Sequence, residues 1–228
     1  MSKIHPAAEN GYQYQDRGVH HDQVEDVNPS VLTVWKRSSM TFQGTDGFTV
    51  FDHQGVLTFR VDNYSRKSCG VRKGLVLMDG AGRALLTLKP QVFSMQDQWN
   101  AYQGDYGCAK SPKSSRVFTM RNTGSGLFSR SNKSEVTAEV FMGSETTSLS
   151  SPDFRIEGCF WRRKCNIKSS SGQLVANVAR KRVNNTVMLG EDVFSLVVQP
   201  GFDLDLIMAF VIILDRICGK PLTPILCS

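Results

Sequence analysis

Apolar and polar residues alternate with a period of two along much of the chain. Leu57, Phe59 and Val61 are separated by polar side chains, and a similar alternation runs from Val136 to Met142. Such alternation places apolar side chains on one face of a β-strand and polar side chains on the other. Eight further strands are predicted at Gly47–Phe51, Gly74–Met78, Ala84–Leu88, Gln98–Gln103, Arg116–Arg121, Phe154–Ile167, Gln173–Val183 and Val193–Val198.

The same turn pattern joins strand candidates at three places. An Asp or Ser precedes a Gly by three residues at Asp52–Gly55, Asp79–Gly82 and Ser169–Gly172. The Asp or Ser side chain can accept hydrogen bonds from the turn backbone, and Gly supplies the positive φ that a tight hairpin needs. The chain is therefore predicted to form successive antiparallel hairpins, as in a β-meander.

The C-terminal region breaks this period. Residues Leu206 to Leu214 carry no polar side chain, and Asp203 and Asp205 precede them as candidate helix caps. A helix that is apolar on every side must be surrounded by protein. The run is about half of the ~18 residues needed to span a bilayer. The sequence therefore predicts a helix inside a closed sheet, with a buried strand over part of the run as the alternative.

Composition indicates one globular domain with an N-terminal extension. Hydrophobic residues make up 40% and charged residues 21% of the chain, which excludes wholesale disorder, collagen-like and coiled-coil structures. Residues 1–29 are polar and aperiodic, and we expect a mobile tail there before a single domain at 30–228. No secretory signal is recognised, so we expect a cytoplasmic protein whose six cysteines form no disulfide.

Motifs for catalysis and cofactor binding are missing from the sequence. No GxSxG, HExxH or P-loop pattern occurs, and no pair of cysteines has CxxC spacing. His53, the one His after the tail, lies in a predicted turn. Asp203 and Asp205 form a DxD that could mark a cation site, but helix capping explains them more simply. We expect no catalytic residues, no metal, no cofactor and no enzymatic activity.

The net charge of +6 is concentrated in one segment. Between Phe154 and Arg182, eight basic residues stand against one acid, Glu157, so this segment alone carries +7. Because its two basic clusters flank the third hairpin, antiparallel pairing would bring them together. Arg and Lys side chains bind phosphate well, so phosphoinositide head groups or nucleic-acid phosphates are the candidate ligands. The candidate residues are Arg162, Arg163, Lys164, Lys168, Arg180, Lys181 and Arg182.

The alternative is a solvated strand face balanced by acids such as Glu191 and Asp192, because basic clusters often serve only solubility and steering. A second basic cluster lies in another predicted loop and could add to the same surface. It contains Arg66, Lys67, Arg72 and Lys73.

Six sequence segments occur in the same order as similar segments of one known protein family. They are FTVFDHQGVLTFRV, VLMDGAGRALLTL, FSMQDQWNAYQG, FRIEGCFWRRKCNI, LVANVARKRV and FSLVVQPGFDLDLIMAFVIILDRI. Together they resemble the plant LURP-one-related proteins, which share the fold of the tubby-like C-terminal and phospholipid-scramblase superfamily. The resemblance covers Val31 to Ile217. It implies an all-β fold with one buried helix: a closed, twelve-stranded antiparallel β-barrel around a central C-terminal hydrophobic α-helix.

The resemblance also implies a non-enzymatic plant protein with a membrane-tethering or signalling role in pathogen defence. Tubby domains of this superfamily bind phosphoinositides through basic side chains on the barrel surface, so an anionic membrane lipid is the expected partner. The alternative is a nucleic-acid-binding or transcription-related module, although no sequence-specific nucleic acid is expected. We expect a cytoplasmic monomer, peripheral at the plasma membrane or nuclear, whose protein partner the sequence does not identify.

Overall fold

The computed structural model describes most of the predicted domain. The described residues are 28–37, 47–62, 74–91, 97–104, 115–123, 136–143, 151–184 and 187–218. The predicted tail, except residues 28 and 29, and the second basic cluster at 66–73 lie outside them. Among the described residues, no helix is long and apolar enough to cross a membrane.

Within the described residues, twelve antiparallel strands close into a barrel around one helix. Consecutive strands pair along the chain, and β1 closes the barrel because Trp35 lies opposite both Thr49 of β2 and Val193 of β12. This architecture confirms the predicted fold. The elements are β1 (Ser30–Arg37), β2 (Gly47–Phe51), β3 (Leu57–Asp62), β4 (Leu75–Asp79), β5 (Ala84–Pro90), β6 (Gln98–Gln103), β7 (Arg116–Asn122), β8 (Val136–Met142), β9 (Phe154–Cys159), β10 (Lys164–Ser169), β11 (Leu174–Arg180), β12 (Val193–Val198) and α1 (Leu204–Ile217).

The three predicted hairpin turns form as expected. The backbone N–H of each Gly donates to the carbonyl oxygen of the Asp or Ser three residues earlier, at 2.9 to 3.2 Å. The φ angles of Gly55, Gly82 and Gly172 are 82°, 87° and 84°, in the left-handed region that glycine enters without steric cost. These turns connect β2 to β3, β4 to β5 and β10 to β11, so they set one end of the barrel.

The apolar C-terminal run is helical and fills the barrel. Asp203 caps α1, since its Oδ1 accepts hydrogen bonds from the backbone N–H groups of Asp205 and Leu206 at 2.8 and 3.3 Å. Every residue from Ile207 to Leu214 has 0% exposure. Phe210 packs edge-on against Phe118 of β7, with 4.9 Å between ring centroids. The predicted helix, rather than the alternative buried strand, is therefore correct.

The structure corrects the number of predicted strands at two places. Phe154–Ile167, predicted as one strand, is a hairpin in which residues 160–163 turn between β9 and β10. The sequence pattern predicts no strand at β1. Its outward-facing Val31 and Trp35 are apolar as well as exposed, which conceals the alternation. These two places account for the difference between ten strands and twelve.

Candidate functional site

One end of the barrel gathers both basic clusters. Lys164 lies opposite Ala179 in the register of β10 and β11, so the start of one strand adjoins the end of the other. The last turn of α1 lies at this end too, because Asp215 pairs with Lys36 of β1. We call this region the Asp215 end, and it comprises residues 35–36, 160–164, 180–184, 187–193 and 215–218.

Arg163 is buried, with only 5% exposure. The central carbon of its guanidinium lies 4.5 Å from the ring centroid of Phe160 and 4.2 Å from that of Phe194. Its Nε donates a hydrogen bond to the carbonyl oxygen of Glu191 at 3.1 Å. Its φ of 52° is in the left-handed region, which is uncommon for residues other than Gly. This candidate side chain is therefore not part of the exposed basic surface.

Two cations contact the buried Asp215: Arg163, which is also buried, and Lys36, which is half-buried. Lys36 Nζ lies 2.9 Å from Asp215 Oδ2, and Arg163 Nη2 lies 3.9 Å from Oδ1. Burial lowers the pKa of Arg163, because desolvation disfavours its charged form, while the negative charge of Asp215 acts in the opposite direction. The three side chains join β1, the β9–β10 turn and the end of the helix.

Two other candidate residues form ion pairs with acids on the barrel surface. Lys168 Nζ lies 2.8 Å from Glu157 Oε2, on the neighbouring strand β9. Arg180 Nη2 lies 3.5 Å from Glu191 Oε1. Surface pairs of this kind add little to stability, but each one reduces the positive charge that the side chain presents to a ligand.

Four candidate residues remain with no ion pair to any carboxylate in the part of the chain that the structure describes: Arg162, Lys164, Lys181 and Arg182. Lys181 is half-buried and the other three are exposed. Lys164 faces outward on β10, because the next residue, Cys165, faces the core. Among the residues that define the Asp215 end, the exposed acids are Glu191 and Asp192, against the exposed cations Arg162, Lys164, Arg180 and Arg182.

Sequence reasoning missed two features of this end. Asp215 directly follows an apolar run, and an acid in that position is a signal for a buried charge that needs partners. The second feature is a group of exposed apolar side chains, Val183, Val187 and Met188. The strand predicted to extend to Val183 ends at Arg180 in the structure, so Val183 lies in the connection between β11 and β12.

Three cysteines near this end carry free thiols: Cys159, Cys165 and Cys218. Burial raises the pKa of Cys165 to about 12 and that of Cys218 to about 11. At neutral pH these two groups are protonated thiols, which are poor nucleophiles and poor metal ligands. Among the described residues, no three His, Cys, Asp or Glu side chains are grouped as a metal site would require. The other cysteines, Cys69, Cys108 and Cys227, lie outside the described residues.

Comparison with known proteins agrees with this fold. The family model described as LURP-one-related matches residues 30–215. The chain is 38% identical over 193 residues to Protein LURP-one-related 5 of Arabidopsis thaliana, covering 84% of each chain. It is 35% identical over 192 residues to Protein LURP-one-related 17 of the same plant, covering 82% of each.

An X-ray structure of a protein from Arabidopsis thaliana has a similar fold. The TM-score is 0.56 at 23% sequence identity, and the match covers 84% of this chain and 92% of that one. At this level of identity the likeness concerns the fold alone. The family model and the curated relatives, which span most of the described barrel, show that the chain belongs to the LURP-one-related family.

Proposed function

We propose that this LURP-one-related protein is a non-enzymatic module that binds anionic membrane surfaces, phosphoinositide-containing membranes among them, through the Asp215 end. The observation that carries the proposal is the group of four cations at one rim, Arg162, Lys164, Lys181 and Arg182, none of which pairs with a carboxylate among the described residues. Three other candidates, Arg163, Lys168 and Arg180, contact acids of the barrel itself and are left out of the proposed surface.

The expected strength of this interaction follows from the charge. A Lys or Arg near an anionic leaflet contributes about 1 kcal/mol to binding. Four such residues would therefore contribute about 4 kcal/mol, which is close to a thousandfold in affinity. Lys164 begins β10, Arg162 lies in the turn before it, and Lys181 and Arg182 follow β11, so the pairing of these two strands brings the four backbone positions to one rim. A weak, reversible and salt-sensitive membrane association is the result.

Charge reversal at the rim tests this proposal. The substitutions Arg162→Glu and Lys164→Glu, made singly and together, leave the buried Arg163 in place. Each lost contact should weaken binding to vesicles of mixed phosphatidylcholine and phosphatidylserine by about fivefold, and the double variant should lose about thirtyfold or more because reversal adds repulsion. Sedimentation with vesicles measures this loss.

The matched control is Arg83→Glu, which changes the net charge as much as either single substitution. Arg83 lies in the β4–β5 hairpin at the opposite end of the barrel, paired with Asp79 at 2.6 Å. We expect this variant to bind vesicles almost as well as the unmodified protein. A folded Arg162→Glu/Lys164→Glu protein that binds vesicles undiminished would contradict the proposal.

The proposed biological role is supported by the resemblance to the LURP-one-related family and not by the geometry of the Asp215 end. A place in pathogen defence, a cytoplasmic location with access to the plasma membrane or nucleus, and a monomeric state remain predictions for this chain. A tether that associates reversibly with anionic membranes is consistent with each of them.

A further inference from the structure

The chain after β11 forms a short, ordered ribbon at the Asp215 end. The backbone N–H of Val183 donates to the carbonyl oxygen of Val187, and that of Leu189 donates to the carbonyl oxygen of Lys181, both at 3.0 Å. The Asn184 side chain accepts a hydrogen bond from the N–H of Val187 at 2.7 Å. We call its two arms, residues 181–184 and 187–189, the rim ribbon.

The rim ribbon presents apolar side chains to solvent. Val183 is 65% exposed, Val187 49% and Met188 43%. In the antiparallel register that pairs Arg182 with Met188, Val183 and Val187 share one face of the ribbon and Met188 lies on the other, and both faces are open to solvent. Exposed apolar side chains concentrated on one short ribbon commonly mark an interaction surface, whereas scattered ones need no explanation.

The charges around these side chains indicate the kind of partner. The rim ribbon contains Lys181 and Arg182 and no acidic residue. Arg162 and Lys164 lie at the same end of the barrel, and the exposed indole of Trp35 lies there too, opposite the first residue of β12. Apolar side chains next to cations match the two layers of an anionic bilayer surface, a charged head-group layer over hydrocarbon. Trp is also a favoured residue at that boundary.

We propose that Val183, Val187 and Met188 insert into the interfacial layer of an anionic membrane and dock the barrel by its Asp215 end. This inference rests on the proposed membrane-binding function and adds its apolar component and its orientation. Lys181 and Arg182 attract the surface first, and the three apolar side chains then leave water. The insertion accounts for their exposure in the free protein.

The two components respond differently to salt. Screening weakens the attraction between the rim cations and the lipid head groups as ionic strength rises. Burial of apolar side chains is not weakened in this way. The fraction of protein bound to membranes should therefore fall as salt rises, but not to zero. The binding that remains at high salt should depend on the apolar side chains of the rim ribbon.

The test replaces the apolar side chains and keeps every charge. The variant Val183→Ser/Val187→Ser/Met188→Ser is compared with Val56→Ser, since Val56 is 57% exposed in the β2–β3 hairpin at the opposite end of the barrel. On vesicles of phosphatidylcholine and phosphatidylserine, the triple variant should bind about tenfold or more weaker than the unmodified protein. The control should bind within about twofold of it.

A lipid monolayer supplies an independent measurement. The unmodified protein should raise the surface pressure of an anionic monolayer, and the triple variant should raise it much less. Thermal unfolding checks that the variants are folded, and Val183→Ser alone serves if the triple variant is unstable. A folded variant that binds vesicles and penetrates monolayers like the unmodified protein would overturn the insertion alone. Failure of the unmodified protein to bind anionic vesicles would overturn both the insertion and the proposed function.

Discussion

The substitution Ile212→Asp is expected to abolish cooperative folding of the barrel. Ile212 lies in the middle of α1 with 0% exposure, and its helical neighbours from Ile207 to Leu214 are equally buried. No face of the helix offers the new carboxyl group water or a partner. Burying such a group costs roughly 5 kcal/mol or more, which is comparable with the whole stability of a typical domain.

Thermal unfolding and yield of soluble protein measure this effect. The control is Val56→Asp, which places the same carboxylate on an exposed hairpin and should change the melting temperature little. A soluble Ile212→Asp protein with the melting temperature of the unmodified chain would disprove the central position of the helix.

The substitution Arg163→Ala is expected to cost about 3 kcal/mol of stability, the lower range for breaking a buried ion pair, since Asp215 retains Lys36. The guanidinium lies against the rings of both Phe160 and Phe194, so its removal also leaves a cavity and removes two cation–π contacts. The β9–β10 turn would lose its connection to the end of the helix.

Arg162 supplies the matched control for this prediction, because it is the adjacent residue, has the same chemistry and is exposed. Denaturant unfolding of Arg162→Ala should give a midpoint close to that of the unmodified protein, while Arg163→Ala unfolds at clearly lower denaturant. Equal midpoints for the two variants would contradict the structural role of the buried charges. In vesicle binding the order of the two variants reverses. Arg162→Ala should bind more weakly than Arg163→Ala, since only Arg162 belongs to the proposed binding surface.

Local patterns were sufficient to predict most of the fold. The turn motifs ending in Gly55, Gly82 and Gly172 act through residues close in sequence, so they could be recognised without the rest of the chain. The helix could be predicted because an apolar run with no polar face has few places to lie outside a membrane. The resemblance to the family supplied the number of strands.

Tertiary contacts explain what the sequence concealed. The turn at residues 160–163 contains no Gly, Pro or Asn. It is formed instead by Arg163 in a left-handed conformation, held by Phe194 and Glu191 from distant parts of the chain. The sequence predicts Arg163 as a surface cation because the prediction rests on the number of basic residues. That number does not distinguish a cation that faces water from one that faces a buried acid. The sequence identifies the basic segment, but only the structure shows which of its side chains are exposed.

Binding of the unmodified protein to vesicles of defined charge tests the central claim most directly. Phosphatidylcholine vesicles are compared with vesicles that also contain phosphatidylserine or a phosphoinositide, at low and physiological salt, with duplex DNA of mixed sequence as the second ligand. We predict binding to the anionic vesicles that weakens with salt, little binding to phosphatidylcholine alone, and only weak, non-selective binding to DNA. Absence of binding to anionic vesicles, or selection of a particular DNA sequence at physiological salt, would contradict the proposed membrane-binding function.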